Sequence, residues 1–181
     1  MKSGMLKPFY KFGIFWYALV LLCAFAGWTI RHQIQTSRLR VDESSFPEGH
    51  PTYYQSISLE RTACYGTCPV YTVILHRDGR AEYKPRAHLA QQGDFEGEIN
   101  SYEFERLSYL LEKNGFERMN GSYKAGFTDA ATCIVTASSS SGAKKVSDYG
   151  GAGPINLWVI QQLIDGIRAR TDWKPVPKAS P

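Results

Sequence analysis

Hydrophobic and polar positions divide the chain into three regimes. Residues 12–30 carry no formal charge, residues 31–52 are polar without sustained periodicity, and from Tyr53 onward short alternating runs are interleaved with two stretches of helical spacing. Residues 56–62 alternate, with Ile57 and Leu59 on one face and Ser58 and Glu60 on the other, which predicts a half-buried strand. Residues 70–76 are apolar on both faces, the pattern of a central strand. Asp78-Gly79 predicts a two-residue type I′ hairpin into a strand over 80–84 that Pro85 stops. Residues 86–92 read as a loop, and Phe95, Gly97 and Ile99 as a short edge strand. Over 100–113, Phe104, Leu107, Leu110 and Leu111 form one apolar stripe behind a capping box of Asn100 with Glu103; Gly115 supplies a left-handed residue past the end. A turn-rich stretch at 120–129 precedes a strand over 132–138 with Cys133, Val135 and Ala137 on one face, a polar connection at 138–142 and a partner strand over 144–149. Glycines at 150, 151 and 153, with Pro154 in the first turn, open a second helix over 155–170.

These elements specify an α+β fold: an antiparallel sheet with the sequence order β-β-β-(β)-α-β-β-α and two helices on one face, preceded by an N-terminal transmembrane helix. Nineteen uncharged residues at 12–30 are long enough to cross most of a ~30 Å hydrocarbon core. Lys2, Lys7 and Lys11 precede the segment, and Trp16, Tyr17 and Trp28 lie near its ends. A retained anchor and a cleaved signal peptide both fit, the latter because Ala24-Phe25-Ala26 before Gly27 satisfies the small-x-small rule. The organisation expected is a basic leader at 1–11, an anchor or signal at 12–30, a polar linker at 31–52, a globular domain at 53–172 and a proline-rich tail at 173–181. Arg31, Arg38 and Arg40 nearly balance the leading lysines, so charge alone leaves orientation open. The short leader favours an exported domain.

Net charge changes little. It is +4, from 21 basic and 17 acidic residues, without a block of five like charges, so nucleic-acid binding is not indicated. Arg77, Arg80, Lys84 and Arg86 flank the first hairpin and read chiefly as a solvated edge that resists aggregation.

The unusual chemistry is concentrated in Cys64-Tyr65-Gly66-Thr67-Cys68-Pro69, between two strands. A local disulfide between Cys64 and Cys68 would staple that junction in an oxidising compartment. A reactive dithiol lacks both the two-residue spacing of thioredoxin-like motifs and a helix start at Cys64, and a zinc site would have to recruit Cys133 with His76 or His88. Cys133 itself reads as a small buried apolar residue. Asp129 has no His or second carboxylate placed beside it by the sequence, so it does not make a catalytic group. The glycines before Pro154 offer N–H groups to a phosphate or carboxylate but match no nucleotide fingerprint.

Leu59-Glu60-Arg61, the hexapeptide with Val70-Tyr71, Asp78-Gly79, Thr128-Asp129 and Tyr149-Gly150-Gly151 together resemble an uncharacterised bacterial family of domains of unknown function with a C-Y-G-x-C-P-x-Y core. The resemblance spans roughly residues 56–170, and its members are often secreted or lipid-anchored. It implies export and fold and brings no activity.

The functional expectation is a membrane-tethered extracytoplasmic domain on the periplasmic or extracellular side of a bacterial inner membrane, or secreted if the signal is cleaved. It is expected to be non-enzymatic, without cofactor or metal, and to bind an envelope protein, cell-wall material or a small anionic ligand. Tyr65, Thr67, Asp129, Tyr149 and Gly151 are the candidate ligand-binding residues, and Cys64 and Cys68 the disulfide. The alternative is an envelope thiol-redox protein or sensor using those two cysteines.

Overall fold

The computed structural model describes residues 52–177. The leader, the anchor or signal segment and all but the last residue of the linker lie outside the described residues. Within them, no helix is long and apolar enough to cross a membrane.

Chain order is β1 (Tyr54–Arg61), β2 (Val70–His76), β3 (Arg80–Ala87), β4 (Phe95–Glu98), α1 (Ser101–Lys113), a 3-10 turn (Phe116–Arg118), β5 (Ser122–Lys124), β6 (Thr132–Ser139), β7 (Gly142–Tyr149), α2 (Ile155–Arg170) and β8 (Lys174–Pro175). The strands form one eight-stranded sheet in the order β5-β7-β6-β1-β2-β3-β4-β8. The apolar β2 lies in the middle, as its two-sided pattern requires.

Alternation decides which face is covered. Ile57, Leu59, Tyr71, Val73, Leu75, Ala81, Tyr83, Cys133, Val135, Ala137 and Val146 point into one core with Phe104, Leu107 and Leu111 of α1 and Leu157, Ile160, Ile164 and Ile167 of α2. The register Ile57↔Leu75 and Ile57↔Ala137 aligns these residues in rows across the strands. Each such fully buried aliphatic side chain contributes roughly 1.5–3 kcal/mol of transfer free energy.

Several expectations are corrected. The sheet is not wholly antiparallel, because β5 runs parallel to β7. This strand arises in the stretch read as turns: Ser122↔Ser147 to Lys124↔Tyr149 supply ladder bonds that three residues cannot reveal as a pattern. The hairpin at Asp78-Gly79 is not type I′. Of the two residues only Gly79 has positive φ (90°), and its N–H donates to the His76 carbonyl, closing a longer connection. β3 continues through Pro85 to Ala87 because β4 pairs only with Arg80–Tyr83, leaving Pro85 beside an unpaired edge where the lack of an N–H is tolerated. Asn100 caps α1 by accepting from the Tyr102 N–H at 3.0 Å, but Glu103 does not close the box; its carboxylate accepts instead from Arg170 of α2 at 2.9 Å. Pro154 is the N-cap of α2, not a first-turn residue. The proline-rich tail begins as an ordered, extended segment. β8 pairs with β4, the Trp173 ring packs 5.2 Å from that of Tyr83, and its indole N–H donates to the Arg168 carbonyl.

Candidate functional site

The chemistry gathers at the end of the sheet where β1 leaves and β2 begins. Three connections meet there: residues 62–69, 125–131 and 150–154. Thr62 and Thr132 exchange hydrogen bonds of 3.0 and 2.9 Å, and the Tyr65 N–H donates to the Asp129 carbonyl at 3.1 Å. Ala125 and Gly150 donate to the Tyr149 and Ala131 carbonyls, and the Ala130 N–H donates to the Tyr149 hydroxyl. Glycine is required at 150: φ is +68°, and a Cβ there would meet Ala125 and the Phe127 ring at 2.9 Å. Asp129 takes φ 70°, a left-handed conformation that Asp tolerates, and its carboxylate accepts from the Thr128 hydroxyl.

Cys64 and Cys68 stand at disulfide distance with Cα atoms 5.7 Å apart. The turn between them pushes Tyr65 outward, 90% exposed, with Gly66 and Thr67 also exposed. Of the five candidate binding residues, Tyr65 bonds the Asp129 main chain and the Tyr149 hydroxyl accepts from the adjacent Ala130 N–H, which brings these three together. Gly151 follows in the same cluster with φ 72°, and Thr67 shares the cysteine turn. Phe127, 58% exposed with its ring tilted at 39° and 6.5 Å from that of Tyr149, is part of this surface and was not anticipated. Its one sequence signal is a large aromatic inside an otherwise turn-forming Gly-Phe-Thr-Asp run.

Beneath the loops lies a polar row that sequence reasoning also missed. The register places Asp148, Cys133, Arg61 and Tyr71 side by side on β7, β6, β1 and β2, facing the core. Opposite them α2 supplies Gln161, Asp165 and Arg168 at helical spacing. Asp165 accepts from Arg61 at 3.0 Å (Nε) and 2.5 Å (Nη2) and from the Tyr71 hydroxyl. Arg61 Nε also donates to that hydroxyl at 3.0 Å. Asp148, 3% exposed, accepts from the Gly153 N–H at 2.8 Å and from Gln161 Nε2 at 2.9 Å, tying the glycine-rich connection to the sheet. The Arg168 guanidinium lies over the rings of Tyr71 and Tyr83, 4.7 and 5.4 Å from their centroids.

The protonation states of this row are unreactive. Burial, with the Asp165 carboxylate, pushes the Tyr71 hydroxyl up to about 12, and burial pushes the Cys133 thiol up to about 12. Arg61 is held charged: burial opposes its charge but its hydrogen bond to Asp165 prevails. At neutral pH the row therefore offers neither a phenolate nor a thiolate, and its carboxylates are occupied by donors. Among the described residues no three His, Cys, Asp or Glu side chains gather as a metal-holding group. The basic cluster at the first hairpin is largely neutralised: Arg80 pairs with Asp78, Lys84 with Glu82 and Arg86 with Asp94.

The family described as domain of unknown function DUF6438 matches residues 55–168. The chain belongs to that family. The match covers all of the loop end and the polar row, so the site is part of the DUF6438 domain itself. No curated protein matches the chain.

Proposed function

We propose that this DUF6438 chain is a membrane-tethered extracytoplasmic domain that acts by binding, with the loop end of its sheet as the recognition surface for another protein of the envelope. The carrying observation is the contrast between the two levels of that end. Groups capable of chemistry lie buried or half-buried below, most of them bonded to one another, whereas the exposed groups above are the Tyr65 and Phe127 rings on a tightly bonded main chain. Aromatic side chains on preorganised loops gain contact area at low entropic cost, which is how binding anchors work. The cysteine pair supports export, since such bonds persist in oxidising compartments, and residues 12–30 supply the tether.

Site-specific photo-crosslinking of the full chain in its host tests this. A photoreactive residue at 65 or 127 is expected to give a discrete protein adduct, with none at 77 on the opposite end of the sheet. Absence of the adduct, or an equal one at 77, removes the reading. Strict zinc dependence of folding would also count against it.

A further inference from the structure

Among the described residues, glycine directly follows an Asn or Asp at four places: Asp78-Gly79, Asn114-Gly115, Asn120-Gly121 and Asp165-Gly166. In such a pair the glycine nitrogen, with no Cβ to shield it, can attack the side-chain carbonyl carbon of the preceding residue and close a cyclic imide. The attack requires that nitrogen and side chain both be free to move. Three of the four pairs are held. The Asp78 carboxylate accepts from the Arg80 N–H and Nε at 3.1 and 2.8 Å, while the Gly79 N–H donates to the His76 carbonyl at 3.0 Å. Asn114 Nδ2 donates to the Leu110 carbonyl at 2.7 Å, and the Gly115 N–H donates to the Glu112 carbonyl at 2.9 Å. Asp165 is bound by Arg61 and Tyr71, and Gly166 lies inside α2 with its nitrogen in the helical ladder.

Asn120-Gly121 differs. Both residues are exposed, on the connection between the 3-10 turn and β5. The main chain around them is pinned: the Met119 carbonyl accepts from Lys144 Nζ at 2.7 Å, the Asn120 N–H donates to the Tyr123 hydroxyl at 3.2 Å, and the Gly121 carbonyl accepts from the Ser147 N–H at 3.0 Å. None of these bonds engages the two groups that the reaction uses. The Asn120 carboxamide and the Gly121 N–H make no hydrogen bond among the described residues.

We propose that Asn120 is a site of spontaneous covalent modification, at which the Gly121 nitrogen displaces ammonia from the side-chain carboxamide. A bond forms between that nitrogen and Asn120 Cγ. The Cγ–Nδ2 bond breaks, and Nδ2 leaves as ammonia with the proton that Gly121 gives up. Water then opens the imide at either carbonyl, giving aspartate or iso-aspartate. The iso-aspartate form inserts a side-chain carbon into the main chain immediately before β5 and adds a carboxylate. β5 holds β7 through three register pairs only, Ser122↔Ser147 to Lys124↔Tyr149, so a displaced Gly121 carbonyl loosens this edge and the 125–131 connection that presents Phe127.

Ageing the full chain in warm, mildly alkaline buffer, followed by peptide mapping that separates aspartate from iso-aspartate, tests the proposal. In native protein, amide loss at Asn120 is expected to be at least ~10-fold faster than at Asn114. In urea the two Asn-Gly pairs should react within about threefold of each other, because only their sequence then matters. Gly121→Ala should slow the loss at Asn120 at least ~10-fold by crowding the attacking nitrogen. The fold accepts that change: φ at 121 lies outside the left-handed region, and a Cβ there meets only the Lys145 carbonyl, at 3.8 Å. In the aged fraction, amide hydrogen exchange at Ser147 and Ala125 should be at least ~10-fold faster than in fresh protein. The proposal is overturned if native Asn114 reacts as fast as Asn120, if Asn120 keeps its amide while the urea sample loses it, or if Gly121→Ala has no effect. Unchanged exchange at Ser147 and Ala125 would overturn the loosening of β5.

Discussion

Asp165 holds three donors from two elements, and its removal should show how much of the loop end depends on one carboxylate. Asp165→Ala leaves Arg61 and Tyr71 partly buried without their acceptor. Because Arg61 and Asp165 are each about one-fifth to one-quarter exposed, solvent screens part of the loss. The expected destabilisation is about 2 kcal/mol, below the 3–5 of a fully buried pair. Tyr71→Phe removes the hydroxyl's bond to Asp165 and the one it accepts from Arg61 Nε, but keeps the ring under Arg168 and leaves Arg61 bonded to Asp165, and should cost about 1 kcal/mol. Urea unfolding of the full chain should rank the two in that order; equal or reversed costs would mean that the ring, not the carboxylate, is the organising group.

At the level of elements, two short segments are fixed by what they meet. The 64–68 closure pins β1 to β2, and the chain-entropy cost of so small a loop is modest, so Cys64→Ser with Cys68→Ser should lower stability by about 2 kcal/mol. The same variant separates a staple from a thiol-redox pair. A staple resists mild reductant in native protein, whereas alkylation of both thiols under those conditions, read by mass spectrometry, would favour the redox alternative. On the far edge, Gly97 allows the segment after α2 to cross β4: a Cβ there would meet Thr171 Cγ2 at 2.7 Å, Trp173 at 3.0 Å and the Asp172 carbonyl at 3.1 Å. Gly97→Ala should displace that segment and cost about 1–3 kcal/mol, with Trp173 emission shifting red as its packing on Tyr83 loosens. An unchanged emission maximum would show that the crossing adapts.

For the molecule as a whole, the helices cover one face of the sheet and the other is a Ser/Thr-rich surface, with Ser58 paired to Ile74 and Thr136 and Glu60 to Thr72 and Ile134. The covered side carries an alkaline pH dependence. An unfolded chain releases phenol protons near 10 and thiol protons near 9, while folded Tyr71 and Cys133 keep theirs until about 12. Above pH 9 the unfolded state thus holds fewer protons than the folded one, and unfolding becomes easier as pH rises. The melting temperature should be insensitive to these groups below pH 9 and fall between pH 9 and 12. Tyr71→Phe should flatten the part of that fall above pH 10; an unchanged slope would refute the assignment.

The sequence by itself determined whatever repeats locally or needs a special backbone residue. Alternation marked β1 and β6, a two-sided apolar run marked β2, the polar connection before 144–149 marked β7, helical spacing marked α1 and α2, and Gly115 took its left-handed position (φ 67°) at the end of α1. It also marked the cysteine turn, Asp129 and Tyr149 as places of interest. Tertiary structure alone decided what depends on partners distant in sequence. β5 and β8 are too short to show a period and exist only through the ladders they join. Glu103 left its own cap for Arg170, sixty-seven residues away. The polar row is invisible in sequence because Arg61 looks like the polar end of an ordinary strand and Asp165 like one charge on an apolar helix. Only the register of four strands under one helix puts them in contact. Local periodicity encodes which face of an element is apolar. Which residues of two such faces meet is fixed by packing, and packing also placed Phe127 and Tyr65 together at the loop end above the polar row.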